Sequence, residues 1–257
     1  MGILDGKTVL IAGVTMNTSI GYRVAEIAQA EGARVIVSNL PRAASLTRRI
    51  VKRLDPVPEV LDLDVTDAEA LDGLADALRG LGVESLDGVV HSIAFANTER
   101  ALGGAFLSTG WDDVATALHT SAFSLKSLVV ACRPLLGRGA SVVGLTFDAQ
   151  VSWPKYDWMG VAKSALESTS RYLARYLGPD GIRCNIVAAG PIQTIAKKAI
   201  PGAESFDEVW AQRAPLGWDP TDSTPTAKAV VALLSDWFPS TTGEMVHVDG
   251  GLHSTGA

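Results

Sequence analysis

The chain has 257 residues, 47 % of them hydrophobic and 19 % charged, which supplies a large buried core and excludes intrinsic disorder. A net charge of −6 argues against a general nucleic-acid binder. No uninterrupted apolar run approaches the roughly 20 residues of a membrane-spanning helix, so no membrane partner is expected.

The elements alternate in type along the chain. Residues 7–12 (KTVLIA) read as the first strand, and residues 20–31 as a helix with Ala and Ile on one face, stopped by Gly32. Residues 34–38 (RVIVS) are the second strand, residues 57–63 contain the third, and residues 87–92 (DGVVHS) are the fourth. Residues 112–136 are mostly helical, residues 140–146 form the fifth strand, and residues 156–177 a long helix. Residues 182–188 are the sixth strand, residues 224–236 a helix, and residues 244–248 the seventh strand. There is no repeat, low-complexity tract or linker. Continuous apolar strands such as VLIA, VIV and GVV suit a sheet buried on both faces. The expectation is one α/β domain over residues 1–257, a doubly wound Rossmann fold with seven parallel strands and helices on both faces.

The first residues lack the basic, apolar and small-residue succession of a secretory signal. Cys132 and Cys184 stand in no CxxC or metal spacing and read as small buried residues of a reducing compartment, so a cytoplasmic location is expected. His91, His119, His247 and His253 share no close spacing, and no metal site is expected.

The first strand runs into Gly13-Val-Thr-Met-Asn-Thr-Ser19-Ile20-Gly21. A glycine-bearing turn between a strand and a helix brings backbone amides against a pyrophosphate. The spacing is not GxGxxG, and Ser19 stands where it can cap the helix and also donate to a phosphate oxygen. The second strand ends Ser38-Asn39-Leu40-Pro41-Arg42, without the acidic residue that often receives the ribose of NAD. Leu40 is placed to pack on adenine, and Arg42 reads equally as a cofactor contact or a solvated loop charge. Asp64 and Val65 follow the third strand; Asp64 either accepts from the adenine amine or caps the next helix, with Thr66 and Asp67 as rival caps.

Tyr156 and Lys163 stand seven apart, two turns along one helix face. A lysine beside a tyrosine is expected to lower the phenol's pKa, and the same lysine suits ribose hydroxyls. Short-chain dehydrogenases usually place Tyr four residues before Lys, a position held here by Met159. The Tyr-x6-Lys spacing resembles the bacterial enoyl-acyl-carrier-protein reductases, the FabI and InhA types. The resemblance spans nearly the whole chain: Gly13 through Ser19-Ile20-Gly21, Leu61-Asp-Leu-Asp64-Val65, Val90-His-Ser92-Ile93-Ala94-Phe95-Ala96-Asn97, Tyr156 through Lys163-Ser-Ala-Leu-Glu, Asn185-x3-Ala189-Gly190-Pro191-Ile192-x-Thr194, and Asp249-Gly250-Gly251.

That resemblance implies reduction of an enoyl thioester by NADH, with NADPH the lesser expectation, on acyl-carrier protein or coenzyme A, in a homotetramer. It implies that Tyr156 stabilises the enolate and Lys163 holds the nicotinamide ribose. Ser92, Ile93 and Ala94 would line the cofactor trough, and Ala189, Gly190, Pro191, Ile192 and Thr194 would clasp nicotinamide and pyrophosphate. Phe95, Phe147, Met159, Ile195, Ala196, Ile200 and Phe206 would meet substrate. Residues 195–212, interrupted by Pro201 and Gly202, are expected to form a lid, shorter than the long loop of InhA-type enzymes. Lys197 and Lys198 are the expected basic patch for an acidic carrier protein. The alternatives are a carbonyl or imine reductase of the same superfamily, against which Met159 counts, and a non-catalytic nucleotide-binding regulator.

Overall fold

The computed structural model describes residues 1–194, 197, 200 and 202–256. Seven strands form one sheet: β1 (Thr8–Ala12), β2 (Arg34–Asn39), β3 (Glu59–Asp62), β4 (Leu86–His91), β5 (Leu136–Thr146), β6 (Arg183–Ala189) and β7 (Met245–Val248). Their order is β3-β2-β1-β4-β5-β6-β7 and every pairing is parallel. This is the doubly wound order, and its reversal falls between β1 and β4, where Ala12 pairs with His91.

Strand alternation divides the core. Leu10 and Ala12 of β1 face the layer containing α4 (Leu74–Gly80), α6 (Ser124–Cys132) and α7 (Asp157–Leu177). Val9 and Ile11 face the opposite layer, which holds α1 (Ile20–Ala30) and α9 (Thr224–Leu234). Helix α1 ends where Gly32 takes φ +93, with an added Cβ only 2.9 Å from Asp5 Cα. Both cysteines lie in the first layer, and burial pushes each thiol up to about 12.

The β4–β5 crossover, expected as one helix, is broken. Between α5 (Trp111–Leu118) and α6 stands a π-helical turn, His119–Phe123, and a short 3-10 turn, Arg133–Leu135, follows α6. The run Trp111–Leu135 is long and apolar enough to cross a membrane by length and composition. Here it packs on the sheet through Leu125, Leu128, Val129 and Cys132. Two further helices had no expectation, α2 (Pro41–Ile50), which proline opens at its first position, and α4; α3 (Ala68–Asp72) is the helix expected after Asp64. A third apolar cluster joins Tyr156 and Met159 to Phe206 and Trp210 of α8 (Glu204–Arg213).

Candidate active site

The ends of β1 and β4 touch at the sheet's reversal. Gly13 has φ +97, and a Cβ there would lie 2.2 Å from the Ser92 carbonyl oxygen and 2.8 Å from Ile93 Cγ1. Only glycine lets the two strand ends close up. Ser19 caps α1, its Oγ accepting from Tyr22 N at 3.3 Å. Its single hydroxyl proton goes to the Met16 carbonyl at 2.6 Å, so the expected donation to a phosphate is not made in this arrangement. The N–H groups of Ile20 and Gly21 have no partner among the described residues, which leaves an anion receptor at the helix start.

On the adenosine side, Asn39 closes β2 and donates to the Val14 carbonyl and Thr47 Oγ1, both at 3.0 Å. Thr47 also donates to Val14 O at 2.7 Å. These buried groups, which the sequence reading missed, fix the turn after Gly13. Leu40 is half-buried and leads into α2. Arg42 is exposed on the first turn of that helix, so it is a helical charge rather than a loop charge. Asp64 does not cap α3; it accepts from Thr66 N and Oγ1 at 2.9 and 2.6 Å, while Asp67 caps the helix. Val65 is buried in the core.

The trough after β4 rests on the π turn. Ser121 Oγ donates to Phe95 O at 3.0 Å and accepts from Phe95 N at 2.9 Å. An inserted residue in the helix thus turns a serine toward the Ser92–Ile93–Ala94 strip. Phe95 itself is 48 % exposed, at the rim. Beneath it His91 meets Ser124 Oγ at 2.7 Å, and burial, reinforced by the Lys163 charge, lowers its pKa to about 3.

Tyr156 immediately precedes α7 and is buried. Its neighbours Lys155 and Asp157 hold positive φ, 63° and 41°, a cost that non-glycine residues bear only where other contacts enforce it. Those contacts are present: the Asp157 carboxylate accepts from Gly104 N at 2.6 Å and Ala105 N at 3.1 Å, and Lys155 O accepts from Gly103 N at 2.9 Å. Lys163 is buried as well, its Nζ donating to Leu145 O at 3.0 Å. Burial lowers its pKa to about 8, opposed by the Glu167 carboxylate. The Tyr156 phenol does not follow the expectation of a lowered pKa. Burial, then the Glu167 charge, raises it, so the hydroxyl keeps its proton. Glu167 accepts from Thr146 Oγ1 and Ala149 N at 3.3 and 3.2 Å, and steadies the strand end that carries Phe147.

Aromatic rings surround Phe147 and Tyr156. Phe147 lies 5.2 Å from Tyr156, 5.5 Å from Phe206 and 5.6 Å from Trp210, between ring centroids. Met159 is buried in the same cluster and Ile200 packs against it. Ile195 and Ala196 lie outside the described residues, as do Lys198, Ala199 and Pro201. The clasp after β6 is tight: a Cβ on Gly190 would stand 2.8 Å from Trp210 Nε1 and 2.7 Å from Trp218 Cε2. Ala189 ends β6, Trp218 donates to Pro191 O at 2.9 Å, Ile192 is buried, and Thr194 Oγ1 accepts from Lys197 N at 3.2 Å. Lys197 does not present a free charge. Its largely covered ammonium pairs with Asp207 of α8, which corrects its expected place in a carrier-protein patch.

Residues 13–253 match the family described as Enoyl-(Acyl carrier protein) reductase. The chain is 43 % identical to an enoyl-[acyl-carrier-protein] reductase [NADH] of Mycolicibacterium smegmatis, over 97 % of each chain. It is 34 % identical to an NADPH enzyme of that name from Staphylococcus aureus, over 98 % of each. It is 35 % identical to an NADH enzyme of that name from Bacillus subtilis, again over 98 % of each.

Proposed function

Because the chain belongs to the enoyl-acyl-carrier-protein reductase family, we propose that it reduces the trans-2 double bond of an enoyl thioester with NADH in fatty-acid or related acyl-chain synthesis. The observation that carries this is Tyr156, at the start of α7, and Lys163 within it, both buried, with the lysine on the end of β5.

The residues present fit a dinucleotide. Gly13 lets the β1 and β4 ends close up at the turn, two unpartnered N–H groups open the helix, and Lys163 offers buried donors for ribose hydroxyls. NADH, when bound, supplies the hydride. Tyr156 then acts on the substrate. As hydride adds to the β-carbon, the π electrons move to the thioester oxygen, and a protonated phenol donates to that developing enolate. The raised phenol pKa suits a donor that keeps its proton. The α-carbon takes up a proton to finish the product. In ketone reduction the hydride joins the carbonyl carbon itself; here the oxygen lies two bonds further on, which matches a tyrosine placed nearly one turn earlier. Met159 at the usual tyrosine position transfers no proton, which disfavours the carbonyl-reductase reading.

Arg42 is the one cation in the first turn of α2 beside Leu40, which supports NADH over NADPH. The thioester carrier is acyl-carrier protein or coenzyme A, the assembly a homotetramer, and the location the cytoplasm, supported by two buried free thiols. Oxidation of NADH with crotonyl and 2-octenoyl thioesters, set against a ketone panel, tests the reading. Turnover of ketones without turnover of enoyl thioesters overturns it.

A further inference from the structure

Tyr156 is carried by a backbone that its own segment does not account for. The residues on either side of it, Lys155 and Asp157, hold φ of 63° and 41°, in the left-handed region. Non-glycine residues stay there only where the surroundings over-determine them. Those surroundings come from one loop, residues 101–106. A single oxygen of the Asp157 carboxylate, Oδ2, accepts from Gly104 N at 2.6 Å and from Ala105 N at 3.1 Å. Lys155 O accepts from Gly103 N at 2.9 Å, and Trp158 N donates to Ala101 O at 3.2 Å. The Trp158 indole donates to Phe106 O at 3.0 Å and stacks on the Phe106 ring, with centroids 4.9 Å apart.

Lys155, Asp157 and Trp158 are thus all tied to the same loop, and Tyr156 stands between them. Asp157 is the first residue of α7, where a carboxylate ordinarily serves the open N–H groups of its own helix. Here it serves two N–H groups that precede it by more than fifty residues. The Tyr156 phenol has no hydrogen bond of its own among the described residues. Its ring is buried edge-on against Phe147 at 5.2 Å and Phe206 at 6.4 Å. Dispersion contacts of this kind are weak one by one and carry little direction, so the backbone beneath the ring sets where the oxygen stands. That oxygen is the far end of a long side chain, so a small rotation at its Cα is magnified there. Ala101 and Leu102 are buried with Tyr156 and Met159 in one apolar cluster, which joins the loop to the packing around the phenol.

We propose that Asp157 is a positioning residue for the reduction: its carboxylate clamps the amides of Gly104 and Ala105 and thereby holds the Tyr156 hydroxyl on the enolate oxygen. The inference rests on the enoyl-reductase reading and goes beyond it by placing control of the tyrosine in a loop that the reaction itself does not touch.

For Asp157→Ala we expect kcat to fall on the order of 10- to 100-fold with the dissociation constant for NADH unchanged. Asp157→Asn should recover most of that loss, because its amide oxygen still accepts from a loop N–H and Asn tolerates positive φ. In a Tyr156→Phe background Asp157→Ala should cost nothing further, since it acts only through the hydroxyl already removed. Gly104 has φ +101 and open space around an added Cβ, so Gly104→Ala strains the loop end of the clamp without a clash. It should give the same split and the same lack of additivity, and it decides the matter where Asp157→Ala does not fold. An equal fall in kcat with and without the Tyr156 hydroxyl, weaker NADH binding in step with kcat, or an Asn variant no better than Ala makes Asp157 a general support of the fold and overturns the proposal. Amide hydrogen exchange read by mass spectrometry needs no substrate: Asp157→Ala should speed exchange across residues 101–106 and 153–159, and Asp157→Asn should not. If wild type reduces no enoyl thioester, the reaction reading fails by itself. The exchange then decides the clamp, and unchanged exchange in Asp157→Ala overturns it.

Discussion

Tyr156 and Lys163 are both buried, yet burial acts on them in opposite directions. The phenol is held protonated, whereas the ammonium is pushed toward losing its proton. Removing the Tyr156 donor should therefore cost kcat rather than cofactor affinity. For Tyr156→Phe we expect kcat to fall by about 10²-fold or more with the dissociation constant for NADH nearly unchanged; fluorescence titration and steady-state kinetics separate the two. Lys163 makes a different prediction. Its pKa falls from 10.5 to about 8 on folding, so charging it in the ligand-free protein costs about 3 kcal/mol at neutral pH. Between pH 8 and 10.5 the unfolded chain binds more protons than the folded one, so stability rises with pH across that window. Lys163→Met should lose that rise, be at least as stable as wild type at pH 7, and bind NADH more weakly. Tm measured from pH 7 to 10 checks the sign; a wild-type Tm that gains nothing on the variant across this range contradicts it. The pair was legible because its spacing is local. The strain at Lys155 and Asp157 was not, because the amides that enforce it come from residues 103–105, more than fifty positions away.

Helix α8 lies in the segment proposed as a short lid. Phe206 and Trp210 are buried against Phe147, Tyr156 and Trp153. What its composition concealed was charge pairing. Lys197 and Asp207 stand ten residues apart, beyond any helical spacing rule, and meet only in the folded chain. The π turn was equally hidden, since His119–Phe123 carries no helix breaker and shows its purpose only where Ser121 meets Phe95. We propose that Phe206 and Trp210 stand across the acyl path and limit the chain that fits. Each further buried CH₂ contributes about 0.8 kcal/mol, close to fourfold in kcat/KM, until the wall is reached. A trans-2-enoyl series should therefore climb from C4 and level off on the order of C8 to C12. Phe206→Ala should carry the climb to longer chains while costing about 3–5 kcal/mol of stability. A wild-type rise continuing to C16, or a variant with an unchanged plateau, would show that α8 does not set the length.

At the scale of the whole molecule, the seven strands and their parallel winding were readable because a sheet covered on both faces needs unbroken apolar runs. Helices α2 and α4 were not, being short and partly solvated. Contacts such as Asp148 to His247, 99 residues apart, exist only once the sheet has brought β5 and β7 to the same end. One surface is left unexplained by the monomer. Along α6, the π turn and α7, Phe123, Tyr172 and Tyr176 are 51, 63 and 73 % exposed around a groove of about 510 Å³. Ala165, Ser168 and Thr169 floor that groove with small side chains, which lets a second helix pair approach closely. The proposed tetramer requires faces that meet themselves across two-fold axes, and we propose this face as one of them. A stable interface buries upward of about 1,000 Å², so a charge at its centre is left without water and without a partner. The double variant Tyr172→Glu with Tyr176→Glu should lower the sedimentation mass from tetramer to dimer or monomer with an unchanged circular dichroism spectrum. A folded variant that remains tetrameric, or a wild type that sediments as a monomer, would remove this face from the assembly.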